Sequence, residues 1–334
     1  VMTTNYVFVA WGDNRTGGTS VPADLTNVVA VAAGFLYNLA LKSDGTVEEW
    51  GITNSVPAGL SNVVAIAAGY GNNFAVKSDG TAVQWGSYTG VPVSNIVQIA
   101  AGPDFSLALQ SDGTVYAWGS DYYGQLDVPS GLSNVVAVTA GSRFGVALKS
   151  DGTLAAWGFD DLGDVTLFVP AGLSNVTAIA SGYYHNLALK SDGTVVAWGG
   201  FDEHGELDVP AGLNNVVAVA CSQSACFALK ADGTVVAWGS NFYGETSLPY
   251  GLNHVVALAS SNCENNDMLV VQRQIFSPEV SALDGNNVFN GNLQINGIVQ
   301  VNGIVYANAF ATNLDWGAAH FFTPTIGDGT TNFT

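Results

Sequence analysis

The chain has 334 residues, of which 10% are charged and 40 are glycine, and it carries a net charge of −19 from 27 acidic and 8 basic side chains. That charge repels nucleic-acid phosphates and anionic membrane surfaces, which excludes a nucleic-acid binder built on clustered Lys and Arg. No apolar run is long enough to span a bilayer, and a Gly-rich, aromatic-rich, charge-poor composition points to short strands and tight turns, that is, to an all-β fold.

The chain begins Val1-Met2-Thr3-Thr4 with no basic-then-apolar leader, as expected of a processed mature chain or a trimmed piece. Tyr6 to Gly12 then reads as a strand ending in Ala10-Trp11-Gly12. This ending or a close variant recurs at Trp50, Trp85, Trp118, Trp157, Trp198 and Trp238. A turn Asp-Gly-Thr recurs at Asp44, Asp79, Asp112, Asp151, Asp192 and Asp232, a Val/Ala run begins after Asn27, Asn62, Asn95, Asn134, Asn175, Asn215 and His254, and a Pro stands at 22, 57, 92, 129, 170, 210 and 249. Self-similarity at about 40 residues with several strands per unit is the signature of propeller blades.

Each unit predicts a Val/Ala strand, a Leu-Ala-Leu-Lys strand and a strand ending in Trp-Gly, with a short fourth strand before the Pro, where a missing N–H is tolerated at an edge. Ser-Asp-Gly between the second and third strands has hairpin chemistry: Asp bonds back to the backbone and Gly accepts positive φ. The N-terminal segment is a third strand without its first two, and the last unit has a first and a second strand (Val255 to Ala259 and Met268 to Val271) without a third. The N-terminal strand is therefore expected to complete the seventh blade and close the ring, leaving no open edge. The resulting domain spans residues 1–273.

Units such as Ser181-Gly182-Tyr183-Tyr184-His185-Asn186-Leu187-Ala188-Leu189-Lys190-Ser191-Asp192-Gly193-Thr194-Val195-Val196-Ala197-Trp198-Gly199, with the loop Tyr123-Gly124-Gln125-Leu126, resemble the repeat of the regulator of chromosome condensation family. The resemblance covers roughly residues 1–273 and implies a seven-bladed β-propeller. The family's eukaryotic founder is a nucleotide exchange factor for a nuclear GTPase that works on chromatin. The uniform Val-Pro-Ala-Gly-Leu-Ser-Asn links are nearer to secreted bacterial members, among them a propeller that inhibits β-lactamases by capping them with one face.

Following the chain through a blade places the Ser-Asp-Gly turns and the links on one face, nearly uniform between blades. The loops after the first strand and after Trp-Gly share the other face and vary, which marks it for function. It carries Phe35, Tyr37, Tyr70, Phe105, Arg143, Phe144, Tyr183, Tyr184 and His185, residue types that serve as protein-binding hot spots or that pack between blades. The acids of the post-Trp-Gly loops (Asp13, Asp121, Asp160, Asp161, Asp164, Asp202, Glu203, Glu206 and Asp208) lack the spacing of a calcium loop and read as a solvated rim. All five lysines (Lys42, Lys77, Lys149, Lys190 and Lys230) directly precede the turn and read as solubilising strand ends. Cys221, Cys226 and Cys263 are too few for a disulfide-stapled fold and lack zinc-site spacing; they are expected to be buried apolar residues or to contain one bridge, 221–226 or 226–263. No nucleophile elbow, zinc-protease helix or phosphate loop occurs, so no catalytic residue, metal or cofactor is expected. Sequons at Asn14, Asn175 and Asn332 permit glycans.

After Arg273 the composition changes. Residues 274–334 contain no Lys or Arg, and Asn-Gly recurs with a period of six at 290, 296 and 302. The intervening Val288, Phe289, Leu293, Ile295, Ile298, Val299, Val301, Ile304, Val305 and Tyr306 make an apolar, strand-forming stretch that resembles hexapeptide β-stalks. It is expected to be a C-terminal β-rich extension that pairs between copies, or a hairpin on the propeller's own flank. The sequence thus points to a secreted or cell-surface, non-enzymatic protein: a propeller head with a self-assembling extension or, alternatively, a soluble inhibitor or binding module. Its expected partners are itself and another extracellular protein.

Overall fold

Each repeat folds as three antiparallel strands, and the described residues form seven such sheets. The computed structural model describes residues 4–15, 17–52, 55–86, 94–159, 169–200, 202–260 and 268–275. The chain divides into two units, Val1–Ser281 and Ala282–Thr334, and all described residues belong to the first. The expected assembly strands at 288–306, Cys263, Asn332, and the acids Asp160, Asp161 and Asp164 lie outside the described residues.

The inner strands are Val28–Ala33, Val63–Ala68, Ile96–Ala101, Val135–Ala140, Val176–Ser181, Val216–Cys221 and Val255–Ser260. Each touches the inner strand of the next blade, and the seventh touches the first, so the ring is closed. The seventh sheet is completed by the N-terminal strand, Thr4–Trp11, which runs antiparallel to Met268–Ile275 from Thr4↔Ile275 to Trp11↔Met268. This is the closure expected from the phase of the repeat.

Middle strands such as Phe105–Gln110 and Phe144–Lys149 are buried along their first five residues. The reason is that a propeller has no single core. Instead, seven clusters each fill the seam between two blades. At one seam Phe105, Leu107 and Leu109 of the third blade meet Val135, Val138, Ala147 and Trp157 of the fourth. Odd positions of a middle strand face the next blade and even positions face the previous one, so both faces are apolar and the strand reads as a continuous hydrophobic run. Burying each large side chain contributes about 1.5–3 kcal/mol.

Two features depart from the expected blade. First, the anticipated fourth strand is absent from the described residues, where the segment before the Pro is an irregular loop. Second, each inner strand bulges after its first residue, between Val28/Ala30, Val135/Ala137 and the five equivalent pairs. The bulge turns the second residue of the Val-Val pair outward, which leaves Val29, Val64, Val97, Val136, Val217 and Val256 exposed.

The turn face is a repeated latch. In the first blade the Ser43 amide donates to the Asn27 carbonyl of its own inner strand, and the Val63 amide of the next blade donates to the Gly45 carbonyl. The Asn that precedes six of the seven inner strands sits at positive φ, 57° at Asn27, 58° at Asn134 and 56° at Asn215, and His254 takes its place before the seventh. The short polar side chain of Asn tolerates that left-handed conformation, as a β-branched residue would not.

Candidate functional site

The opposite face is assembled from two sets of loops held together by backbone hydrogen bonds. The Ile52 amide donates to the Leu36 carbonyl, Ser120 to Asp104, Phe159 to Arg143, Gly200 to Tyr184 and Ser240 to Ser224. Neighbouring blades are joined here as well, by Phe35 N–H to the Gly69 carbonyl and Tyr183 N–H to the Gln223 carbonyl. The loops are therefore fixed by the scaffold.

Three of the post-Trp-Gly loops share one construction. Asp121, Asp202 and Asn241 each accept through Oδ1 the amide five residues on, from Leu126, Leu207 and Thr246. Gln125, Glu206 and Glu245 are buried and accept the amides of Tyr123, His204 and Tyr243. The carbonyl of that same buried residue accepts the indole N–H of the next blade's tryptophan: Trp157 to Gln125 at 2.9 Å, Trp238 to Glu206 at 3.0 Å and Trp11 to Glu245 at 2.7 Å. The signature Trp thus pins the loop of the blade before it.

This construction revises the acidic rim. Glu206 and Asp13 are buried, not solvated. Arg15 hydrogen-bonds and pairs with Asp13, and this holds the Asp13 carboxyl below its usual range. Asp121, Asp202, Glu203 and Asp208 do face solvent.

With both ends of the loop tied down, its tip is displayed. Tyr122 and Phe242 are 85% and 82% exposed. Behind Tyr122, Tyr123 stacks on Phe159 with centroids 6.3 Å apart, and the Arg143 guanidinium lies 4.0 Å from the Tyr123 ring centroid. Beside Phe242, Arg15 lies 4.6 Å over Tyr243. Cation–π pairs of this kind hold the guanidinium against the ring face.

The nine aromatic-face residues read from the sequence divide. Phe35 stacks on Tyr70 at 4.1 Å, and Tyr70 is exposed. Tyr183 and Tyr184 meet edge-on at 4.6 Å, half-buried, and Arg143 is half-buried against Tyr123. Tyr37, Phe105, Phe144 and His185, by contrast, are buried. They open the middle strands, whose odd positions face the next blade; the Tyr37 hydroxyl donates to the Gly69 and Asn72 carbonyls across that seam. These four belong to the packing alternative and cannot touch a partner. Sequence reading missed Tyr122, Tyr123, Phe159, Phe242 and Tyr243, although the Tyr123-Gly124-Gln125-Leu126 loop carried the signal.

The lysines sit as expected: Lys149, Lys190 and Lys230 pair with the turn carboxylates Asp151, Asp192 and Asp232 at 3.4, 3.0 and 3.6 Å. Exposed pairs of this kind contribute little.

The ring encloses a channel of about 270 Å³ lined by inner-strand residues, mostly Ala and Val, with Gln98, Thr139, Ser181, Cys221 and Ser260 as its polar side chains. The Gln98 side chain reaches across to Val138, donating to its carbonyl and accepting its amide at 3.1 Å. Cys221 and Cys226 are buried and free. Burial pushes both thiols up, but hydrogen bonding with Cys226 and the electrostatic pull of His185 bring Cys221 below its ordinary value, while Cys226 is pushed well above it.

Residues 96–125, 176–206 and 216–245 match the model for the Regulator of chromosome condensation (RCC1) repeat. No curated protein is similar to the chain in sequence. Prp20p from Saccharomyces cerevisiae is similar in structure, with TM-score 0.67 and 18% identity over 82% of this chain and 93% of that one. Human WBSCR16 superposes with TM-score 0.63 and 16% identity over 81% and 99%. The ectodomain of the Physcomitrella patens receptor kinase CR4 superposes with TM-score 0.58 and 20% identity over 70% and 69%. At these identities the likeness establishes the fold.

Proposed function

We propose that this chain, whose blades carry regulator of chromosome condensation (RCC1) repeats, is a non-enzymatic protein-binding module that engages its partner through the loop face. The observation that carries this reading is the asymmetry of the faces. The turn face repeats one latch, whereas the loop face presents Tyr122, Phe242, Tyr70 and the Arg143–Tyr123–Phe159 stack on loops fixed from below. Rigid aromatics with Arg are what hot spots are made of, because they bury large areas at small entropic cost. Prp20p, with the same architecture, has binding properties toward Gsp1p and histones, and yeast RCC1 (Prp20) is bound by Kap60. The net charge of −19 favours a partner with a basic surface.

The extension from 274 onward supports a second, compatible reading, in which it pairs copies of a secreted or surface protein into an oligomer or fibre. Its support is the Lys- and Arg-free Asn-Gly repeat. One experiment separates the two. The wild type, a Tyr122→Ala/Phe242→Ala variant, a turn-face Tyr250→Ala variant and a chain lacking 275–334 are compared in partner capture and light scattering. Capture is expected to fall at least tenfold for the loop-face variant alone, and self-association to be lost for the shortened chain alone. Equal loss of capture from both aromatic variants would overturn the loop-face reading, and a monomeric wild type would overturn the assembly reading.

A further inference from the structure

Three repeat positions converge at each seam on the loop side of the channel: the first residue of a middle strand, the last residue of the next blade's inner strand, and the second residue of that blade's middle strand. The last two are opposed in register, as Ala140 is to Gly145, Ser181 to Asn186 and Cys221 to Cys226. Along the chain the triplets are Tyr37/Ala68/Asn73, Asn72/Ala101/Ser106, Phe105/Ala140/Gly145 and Phe144/Ser181/Asn186. At the seam between the fifth and sixth blades the same three positions hold His185, Cys221 and Cys226.

The sulfur atoms and an imidazole nitrogen of that triplet all lie within 4.8 Å of one another, and all three residues are buried. His185 is 2% exposed, and its Nε2 is buried with no hydrogen-bond partner. Leaving a buried polar nitrogen unmatched is costly, and such a group needs an explanation.

We propose that His185, Cys221 and Cys226 form a binding site for a zinc-class metal ion that staples the fifth blade to the sixth. Two thiolates and one imidazole are the donor set of a tetrahedral ion of borderline softness. The ligands come from two blades, so their spacing along the chain matches no linear zinc motif. Cys221 also lines the channel, so the three ligands lie next to a route by which an ion could enter. The site is separate from the aromatic loop tips and independent of what they bind.

The test uses the full chain, purified under reducing conditions and freed of metal. Adding cobalt(II) is expected to produce the intense visible absorption of thiolate-bound tetrahedral cobalt, saturating at one ion per chain and abolished by zinc. Zinc is expected to raise the melting temperature and a chelator to lower it. The variant His185→Phe/Cys221→Ala/Cys226→Ser places at this seam the residue types that other seams already carry, so it is expected to fold and to show neither response. A reduced wild type that gives no tetrahedral cobalt spectrum, or a triple variant that gives the same spectrum, would overturn the site. Recovery of the native protein with Cys221 and Cys226 already joined as a disulfide would do so too.

Discussion

At the residue scale the fold depends on a few backbone positions that only some side chains can occupy. Gly158 ends an outer strand at φ 104°, and a Cβ there would lie 2.4 Å from the Arg143 carbonyl oxygen. Gly172, in a link, has φ 80° with nothing within 4 Å of the same added atom. Gly172→Ala should therefore meet only the left-handed conformational penalty of about 1–2 kcal/mol. Gly158→Ala adds a clash with fixed backbone and should cost roughly 2–5 kcal/mol in all. Chemical denaturation of the two variants checks the order, and equal losses would mean that the Trp-Gly junction relaxes freely. The same selectivity explains why the sequence keeps Asn before nearly every inner strand. That pattern was visible at once as a repeat, but its cause, a positive φ clasped by the preceding turn, was not.

At the element scale the Asp-Gly-Thr turns give the blades a shared response to acid. Asp44, Asp79, Asp112, Asp151, Asp192 and Asp232 all have carboxyls held below their ordinary value, first by the Thr hydroxyl two residues on. For Asp192 the value falls from 3.8 to about 2. A depressed folded pKa means that the unfolded chain takes up protons first. The turns therefore contribute stability above pH 3.8 that is lost progressively as pH falls toward about 2. Thr194→Val should return Asp192 toward 3.8 in an NMR carboxyl titration and move the onset of acid unfolding upward; an unchanged Asp192 would reject the hydroxyl as the cause. Three strands per blade were legible because their hydrophobic runs and turn residues agree. The fourth strand expected before the Pro is absent from the described residues, where Asp121 and Gln125 and their counterparts satisfy the loop backbone through side chains and remove the need for a ladder. The exposed loop tips were missed because the reading followed the loops before the middle strands: Phe105 and Phe144 there open a strand and are turned inward by its alternation, whereas Tyr122 and Phe242 sit on loops anchored by the side chains of Asp121 and Asn241.

At the scale of the whole molecule, stability depends on a closed circle with no central core. Removing residues 1–12 leaves Met268–Ile275 without its outer partner and Trp11 missing from the last seam. Such a chain should lose cooperative unfolding and associate through the bared edge, as sedimentation at increasing concentration would show. A monomeric, cooperatively unfolding truncation would mean that the ring tolerates a gap. Closure by the first strand was legible from the phase of the repeats alone. The seam at His185, Cys221 and Cys226 was not, because no linear reading brings together residues from different blades. Closure also has a consequence in time. The strand that completes the seventh blade is made before every other strand of the ring, and its partner, Met268–Ile275, emerges more than 250 residues later. At roughly 5–20 residues per second it waits about 13–50 s, an unpaired apolar ribbon trailing a growing arc of finished blades. During synthesis, then, the segment most in need of shielding is the N-terminal one, and it stays so until the last turn of the circle is made.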